Sequence, residues 1–150
     1  MTNNVSLVST GAAIAAFGAE ASTAAAGGYV LSSVLITPPA NAAYMKFGLD
    51  ITGETSATAP YIALYAAEQN QANTALYGDG TPTGTVPPSE YPVATLQVRP
   101  SLAAGSAIAR NSDYLECPLV PFYPGLLNQT GYVFTAATIN IEFFYLNTNQ

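Results

Sequence analysis

Apolar and polar residues alternate along several stretches of this 150-residue chain, and that period of two constrains the fold most. Successive side chains of a β-strand point to opposite faces, so such alternation predicts a strand with one buried face. Residues 93–99 show the pattern, and residues 132–146 carry its longest run. In residues 43–52 the expected inward row is Ala43, Met45, Phe47, Leu49 and Ile51.

Shorter apolar stretches alternate with segments rich in turn-forming residues. Weaker strand candidates are residues 29–37, 61–66, 107–110, 114–117 and 119–123. Proline, glycine, asparagine and aspartate predict turns at residues 38–39, 56–60, 111–113 and 124–131. About eight short strands without a strong helix signal predict an all-β fold, an antiparallel sandwich of the jelly-roll or Greek-key kind.

Residues 1–28 differ in composition from the rest of the chain, being mostly Ala, Ser, Thr, Gly and Asn. Alanine favours a helix, but glycines at positions 11, 18, 27 and 28 interrupt one, and large apolar side chains are few. We therefore expect an extended, low-complexity N-terminal arm over residues 1–28 that cannot fold alone. Residues 29–150 are expected to form one β-sandwich domain, a usual size for a single core.

The charge content is very low and excludes several classes of function. The chain has three cations and nine carboxylates, with no His, no Trp and one cysteine. Without His there is no Ser-His-Asp or Cys-His arrangement, and the usual ligand sets for zinc, iron–sulfur clusters or haem cannot be assembled. Three cations at a net charge of −6 cannot neutralise a nucleic-acid backbone. We expect no cofactor, no metal and no nucleic-acid partner.

The sequence also gives no sign of a membrane partner. No lysine or arginine precedes the weakly apolar residues 11–19, and no apolar run approaches the roughly 20 residues of a membrane helix. We therefore expect neither a signal peptide nor a transmembrane segment. The Asn-x-Ser/Thr patterns at Asn4 and Asn128 are expected to be coincidental, and Cys117 is expected to be a core residue.

Carboxylates are the only catalytic groups present in number. Glu90, Asp113, Glu116 and Glu142 could be paired as in a glycosidase, which needs two carboxyl groups roughly 5 to 10 Å apart. No motif places them together, and polar residues of half-buried strands normally face solvent. Asp79 lies between glycines, but the oxygen-ligand spacing of a calcium loop is absent. We expect no enzyme, and a small carbohydrate-active enzyme is the least favoured hypothesis.

Aromatic and aliphatic side chains at several positions are candidates for a protein interface. Tyrosine has an apolar ring and a polar hydroxyl, which suits contacts between proteins. On the last strand, large apolar residues occupy both faces, so the second face is covered either by another subunit or by another layer of the same domain. The candidate interface residues are Val5, Leu7, Val8, Ile14, Phe17, Tyr61, Tyr65, Phe144 and Leu146.

The chain resembles the auxiliary capsid proteins of tailed bacteriophages. These are called cement or decoration proteins. The resemblance rests on its size, the arm of residues 2–28, the strand series of residues 29–146 and the lack of catalytic groups. The resemblance implies a non-enzymatic structural virion protein, with a jelly-roll-like sandwich, that binds and stabilises a capsid shell. It implies the major capsid protein as partner, a homo-oligomer with a trimer favoured, and synthesis in the host cytoplasm.

The alternative hypothesis is a receptor-binding or fibre-attachment module of a phage particle. Residues 67–92, rich in Gln, Asn, Gly, Thr and Pro, would then form the recognition loop. Loops of this length are usually functional or disordered.

Overall fold

The structure is a computed structural model that describes residues 5–53, 60–68, 83–84, 92–99, 103 and 105–148. In this part of the chain the fold is all-β, as predicted, with one short 3-10 helix at Ala19–Thr23. The strands are β1 (Val5–Ser9), β2 (Ile14–Ala15), β3 (Tyr29–Leu31), β4 (Tyr44–Gly53), β5 (Tyr61–Glu68), β6 (Thr83–Gly84), β7 (Ala94–Gln97), β8 (Ser106–Asn111), β9 (Leu115–Glu116), β10 (Phe122–Gln129) and β11 (Ala136–Thr148).

The strands form two antiparallel sheets in a sandwich-like arrangement. The first sheet has the order β1-β11-β4-β8, with β2 paired to β11 and β9 paired to β4. The second sheet has the order β6-β3-β10-β5-β7. The main core includes the large side chains Phe47, Ile62, Leu126, Phe134 and Ile141, all nearly or fully buried.

The alternation in residues 43–52 gives the predicted result in β4. Met45, Phe47, Leu49 and Ile51 are buried, whereas Asp50 is exposed on the opposite face. Apolar side chains on one face of a central strand therefore fix its register in the sheet.

Two sequence predictions about the second half of the chain are wrong. The last strand begins at Ala136 rather than at residue 132, which leaves Val133 exposed and Phe134 in the core. Residues 124–131 do not form a turn, because β10 continues through Pro124 and Gly125 to Gln129.

Pro124 is tolerated inside β10 because of where its missing N–H would point. Its carbonyl accepts a hydrogen bond from the Ser32 N–H at 2.7 Å, just beyond the end of β3. The N–H and C=O of a strand residue point to the same side, so an N–H at position 124 would also point toward the β3 side. The proline therefore removes no hydrogen bond to β5 on the other side of β10. Gly125 lies directly under the Tyr29 ring, where a Cβ would come within 2.9 Å of two ring carbons. Close packing therefore favours a residue without a side chain.

Residues 5–28 pack against the same sandwich and do not project from it. β1 and β2 both pair with β11, and the segment contributes Ala16, Phe17, Ala21 and Ala24 to the main core. Small side chains let this segment lie close to the sheets. The expected arm is thus ordered by its own domain, and packing continues across residue 28.

Glu20 connects the 3-10 helix to the chain after β3. Its Oε1 accepts hydrogen bonds from the Gly18 N–H at 3.0 Å, the Ser33 N–H at 2.7 Å and the Ser33 hydroxyl at 3.0 Å. Partial burial acts to raise the pKa of this carboxyl, but the hydrogen bonds from Ser33 and Gly18 outweigh it, and the pKa is lowered.

Asn128, at the end of β10, holds three segments together from a fully buried position. Its Nδ2 donates to the carbonyls of Ala24 (3.0 Å) and Tyr132 (2.6 Å). Its Oδ1 accepts from the N–H of Thr130 (3.0 Å) and from its hydroxyl (2.6 Å). With both amide hydrogens engaged and no exposed surface, Asn128 is not a glycosylation acceptor in the folded chain.

Candidate functional site

The first and last strands build an apolar surface on the outer face of the first sheet. In the antiparallel pairing of β1 with β11, Leu7 stands opposite Leu146 and Val5 opposite Thr148. Ile141 and Phe143 of β11 point into the core, so Leu146, at the other parity, points outward. Val5, Leu7 and Leu146 are exposed by 58%, 37% and 46% of their surfaces. Four of the nine candidate interface residues, Val5, Leu7, Phe144 and Leu146, thus share one face.

Tyr114 extends this surface toward the centre of the sheet. Its ring contacts Phe144 edge-on with ring centres 5.0 Å apart, and the Lys46 Nζ lies 5.1 Å from the Tyr114 ring centre. Phe144 is buried, whereas Tyr114 is 48% exposed. We call Val5, Leu7, Tyr114, Phe144 and Leu146 the terminal-strand patch.

A β-bulge places Tyr114 in the patch. β4 pairs with β8 up to Asn111 and with β9 from Leu115. Between these two points, the segment that joins β8 to β9 has one residue more than the facing part of β4. Ser112 repairs the interrupted ladder, because its Oγ accepts the Phe47 N–H at 2.9 Å and its own N–H donates to the Phe47 carbonyl at 2.9 Å. The extra residue re-aims the following side chains, as bulges commonly do.

Charge is absent from one side of the patch and sparse on the other. No charged side chain occurs in residues 1–19, which include β1 and β2. Lys46 and Glu142 stand opposite each other in the pairing of β4 with β11 and border the patch. An outer sheet face usually carries polar and charged residues, so this combination of exposed aliphatic side chains and missing charge is typical of a surface that another protein covers.

Three other N-terminal candidates lie away from the patch. Phe17 is buried in the main core, and Val8, opposite Tyr145, is half-buried on the other face of β1. Ile14 is 42% exposed, but it pairs with the inward-facing Ile141 at the edge of the sheet. These three side chains therefore cannot join one continuous outer surface with Leu146.

The remaining candidates, Tyr61 and Tyr65, lie on the outer face of the second sheet. Tyr65 is buried and packs edge-on against Tyr29 with ring centres 5.6 Å apart, and Tyr61 is half-buried beside this cluster. Burial and the neighbouring Tyr61 raise the pKa of the Tyr65 hydroxyl. In the described part of the chain, buried side chains therefore occur on both faces of this sheet.

Two clefts of about 400 and 420 Å³ adjoin the segment after β9. Glu116, Cys117 and Leu119 line both of them, and Glu68 lines the first. Cys117 is buried, as predicted, and its thiol lies 3.5 Å from the Pro118 carbonyl oxygen. Burial raises the pKa of the Cys117 thiol, which lowers its thiolate fraction at neutral pH. This environment does not suit a nucleophile.

Three of the candidate catalytic carboxylates, Asp113, Glu116 and Glu142, lie in the described residues. Asp113 and Glu116 are exposed near the bulge, and Glu142 is half-buried on β11. Glu90, Asp79 and most of the 67–92 segment lie outside the described residues. In the described ranges, no three Asp, Glu or Cys residues are grouped as metal ligands, and no helix has the length and apolar character needed to cross a membrane.

Sequence reasoning missed Tyr114 as part of the patch. It lies in a segment that the sequence suggested to be a plain strand, and only the bulge turns it toward Phe144. Comparisons with protein-family models, with curated proteins and with solved structures give no match to this chain.

Proposed function

We propose that this chain is a non-enzymatic structural virion protein that binds and stabilises a capsid shell through its terminal-strand patch. The observation that carries the proposal is the exposed aliphatic surface of Val5, Leu7 and Leu146, together with the absence of charged side chains in residues 1–19. A shell protein bound there would remove this apolar surface from water, which is the main favourable term in association.

The order of the strands supports a jelly roll as the finer description of the fold. Leaving out the two-residue strands β2 and β6, and counting β8 and β9 as one bulged strand, eight strands remain. Numbered along the chain, they pair as first with eighth, second with seventh, third with sixth and fourth with fifth. One long antiparallel hairpin wrapped into two sheets gives this pairing, and such jelly rolls occur in viral capsid domains and in lectins.

The proposed mechanism is mechanical and thermodynamic. A protein that binds the expanded shell and not its dissociated subunits stabilises the shell by mass action. The major capsid protein is the proposed partner, and the virion is the proposed location. Binding through apolar contact needs no catalytic group, cofactor or metal.

The test uses capsid shells prepared without this protein from the phage whose genome encodes it. Wild-type chain is mixed with shells, and we measure the bound fraction by co-sedimentation and the shell melting temperature by calorimetry. We expect saturable binding and a raised melting temperature. Leu146→Asp places a carboxylate in the patch, and burying an unpaired charge should weaken binding at least about tenfold.

Val133→Asp is the matched control. Val133 is 50% exposed, close to the 46% of Leu146, and precedes β11 at the end of the strand far from the patch. This variant should bind shells as the wild type does. If Leu146→Asp also binds normally, or if the wild-type chain leaves the shell melting temperature unchanged, the proposal is wrong. Binding to host cells instead of shells would support the fibre-attachment alternative.

A further inference from the structure

The first sheet has an edge strand without the usual protection against pairing with another strand. Exposed edges are normally blunted by prolines, charges, bulges or shortness, since their free N–H and C=O groups can pair with another chain. β1 has five residues, with no proline and no charge, and among the described residues it pairs only with β11.

The other described sheet edges carry such protection. β8 contains Arg110 and ends at the bulge around Ser112. In the second sheet, the described residues of β6 are the two at Thr83–Gly84, and β7 has four residues between Pro92 and Pro100. Among the sheet edges in the described residues, β1 is therefore the one without such protection.

The backbone groups on the open side of β1 can be identified from one hydrogen bond. The Thr10 N–H donates to the Phe143 carbonyl at 2.8 Å, so Thr10 points its backbone toward β11. Because this direction alternates along a strand, Val5, Leu7 and Ser9 point their N–H and C=O groups away from β11.

We propose that a second copy of this chain pairs with β1 in antiparallel orientation, centred on Leu7. In this register Leu7 stands opposite Leu7 of the other copy, and Val5 stands opposite Ser9. The Val5–Ser9 pairing occurs twice, once from each copy, so with Leu7–Leu7 there are three pairs. Each pair can exchange two backbone hydrogen bonds, about six in total, which uses every N–H and C=O group that points away from β11.

We assign the strand that pairs with β1 to a second copy of this chain, because β1 can pair with another β1 in antiparallel orientation and carries no charge. The chain carries a net charge of −6, but no charged residue occurs in positions 1–19, so two copies can approach along β1 without like charges meeting there. The twofold contact uses the same strand on both copies, and the assembly closes at two.

The paired sheets would present both terminal-strand patches on one side. Cross-strand neighbours point to the same face, so Leu7 and Leu146 of both copies would lie on one continuous outer surface. The dimer does not depend on the shell-binding proposal, but it would make that binding bivalent.

Sedimentation of the full chain from about 1 to 200 µM tests this inference, because five-residue strands form a small, weak interface. We expect a concentration-dependent shift from 15.5 kDa to twice that mass. Three times that mass would support the trimer that the resemblance favours and would overturn the inference. Purely monomeric protein over this range would also overturn it.

Two variants locate the contact. Leu7→Pro removes an N–H that points away from β11, so the β1–β11 pairing should remain while the dimer weakens at least about tenfold. Leu146→Asp changes the patch without touching the open edge and should dimerise as the wild type does. If Leu146→Asp abolishes the dimer and Leu7→Pro preserves it, the copies meet through their faces and the edge pairing is wrong.

Cross-linking then tests the register. Leu7→Cys places two thiols at the twofold axis, about 5.5 Å apart between Cα atoms, and mild oxidation should yield a covalent dimer. Val5→Cys is the matched control on the same face. Its two copies would stand four residues apart along the paired strands, about 13 Å, and should not cross-link. Equal cross-linking by both variants would contradict the proposed register.

Discussion

Leu7 lies directly opposite Leu146 in the pairing of the first strand with the last, and both side chains point outward. Residues from the two ends of the described chain thereby form one apolar surface. The inward face of the last strand belongs to the core through Ile139, Ile141 and Phe143, and residues 1–19 carry no charged side chain. The functional proposal depends on this surface, whereas the stability of the domain depends on groups elsewhere.

Asn128→Ala should lower the free energy of unfolding by about 2 to 4 kcal/mol, since it leaves buried carbonyl and hydroxyl groups without their partner. Urea unfolding measures this change. Asn140→Ala, at a half-buried position of β11, is the control and should cost less than about 1 kcal/mol. Equal effects of the two substitutions would show that the Asn128 hydrogen bonds contribute nothing specific.

Glu20→Gln should reduce stability at neutral pH by about 1 kcal/mol, a small value because the carboxylate is largely solvent-screened. The folded-state pKa is lowered, so the carboxylate contributes stability above its usual pKa of 4.5. That contribution is lost as pH falls through the lowered value. The difference between wild type and Glu20→Gln should therefore shrink from pH 7 to about pH 2.

Denaturant unfolding of the Glu20 variant across this pH range provides the measurement. Glu142→Gln changes the net charge by the same amount and controls for that effect. A stability difference that stays constant down to the acid end would contradict the assigned hydrogen bonds.

Gly125→Ala should destabilise the chain by about 1 to 3 kcal/mol, because its Cβ would overlap the Tyr29 ring. Thermal or urea unfolding checks the value. In a double-mutant cycle, Tyr29→Ala should remove most of the Gly125→Ala penalty, since the overlap then disappears. Additive effects would mean that the two residues do not constrain each other.

Cys117 should react with an aromatic disulfide reagent at least about 100-fold more slowly in the native chain than in urea, because burial covers the thiol and raises its pKa. The absorbance of the released thiolate measures the rate. The exposed thiol of Leu7→Cys provides the fast reference in the native state. Equally fast reaction of Cys117 in native protein would show that the adjoining clefts open to its sulfur.

The sequence allowed prediction of strands in which alternation and burial agree. Met45, Phe47 and Ile51 of β4 show this agreement, because a single row of apolar side chains determines which face is buried. It failed at Pro124 and Gly125, where turn-forming residues lie inside β10. The fit of Gly125 under Tyr29 and the end of β3 beside Pro124 are tertiary features with no local signal.

The candidate site was predictable only in its residue types. The apolar residues of the N-terminal segment were identified, but the separation of Phe17 into the core and Leu7 onto the surface depends on pairing with β11. Tyr114 required the bulge at Ser112 to reach Phe144. Long-range pairing therefore determines which of the candidate side chains form the patch.

Imaging of the decorated shell at a resolution that separates β-strands shows which surface of the chain contacts the major capsid protein. We expect the outer face of the first sheet, with Leu7 and Leu146, to lie against the major capsid protein. A density map in which this face is turned to solvent, with the second sheet or the clefts near Cys117 against the shell, would contradict it.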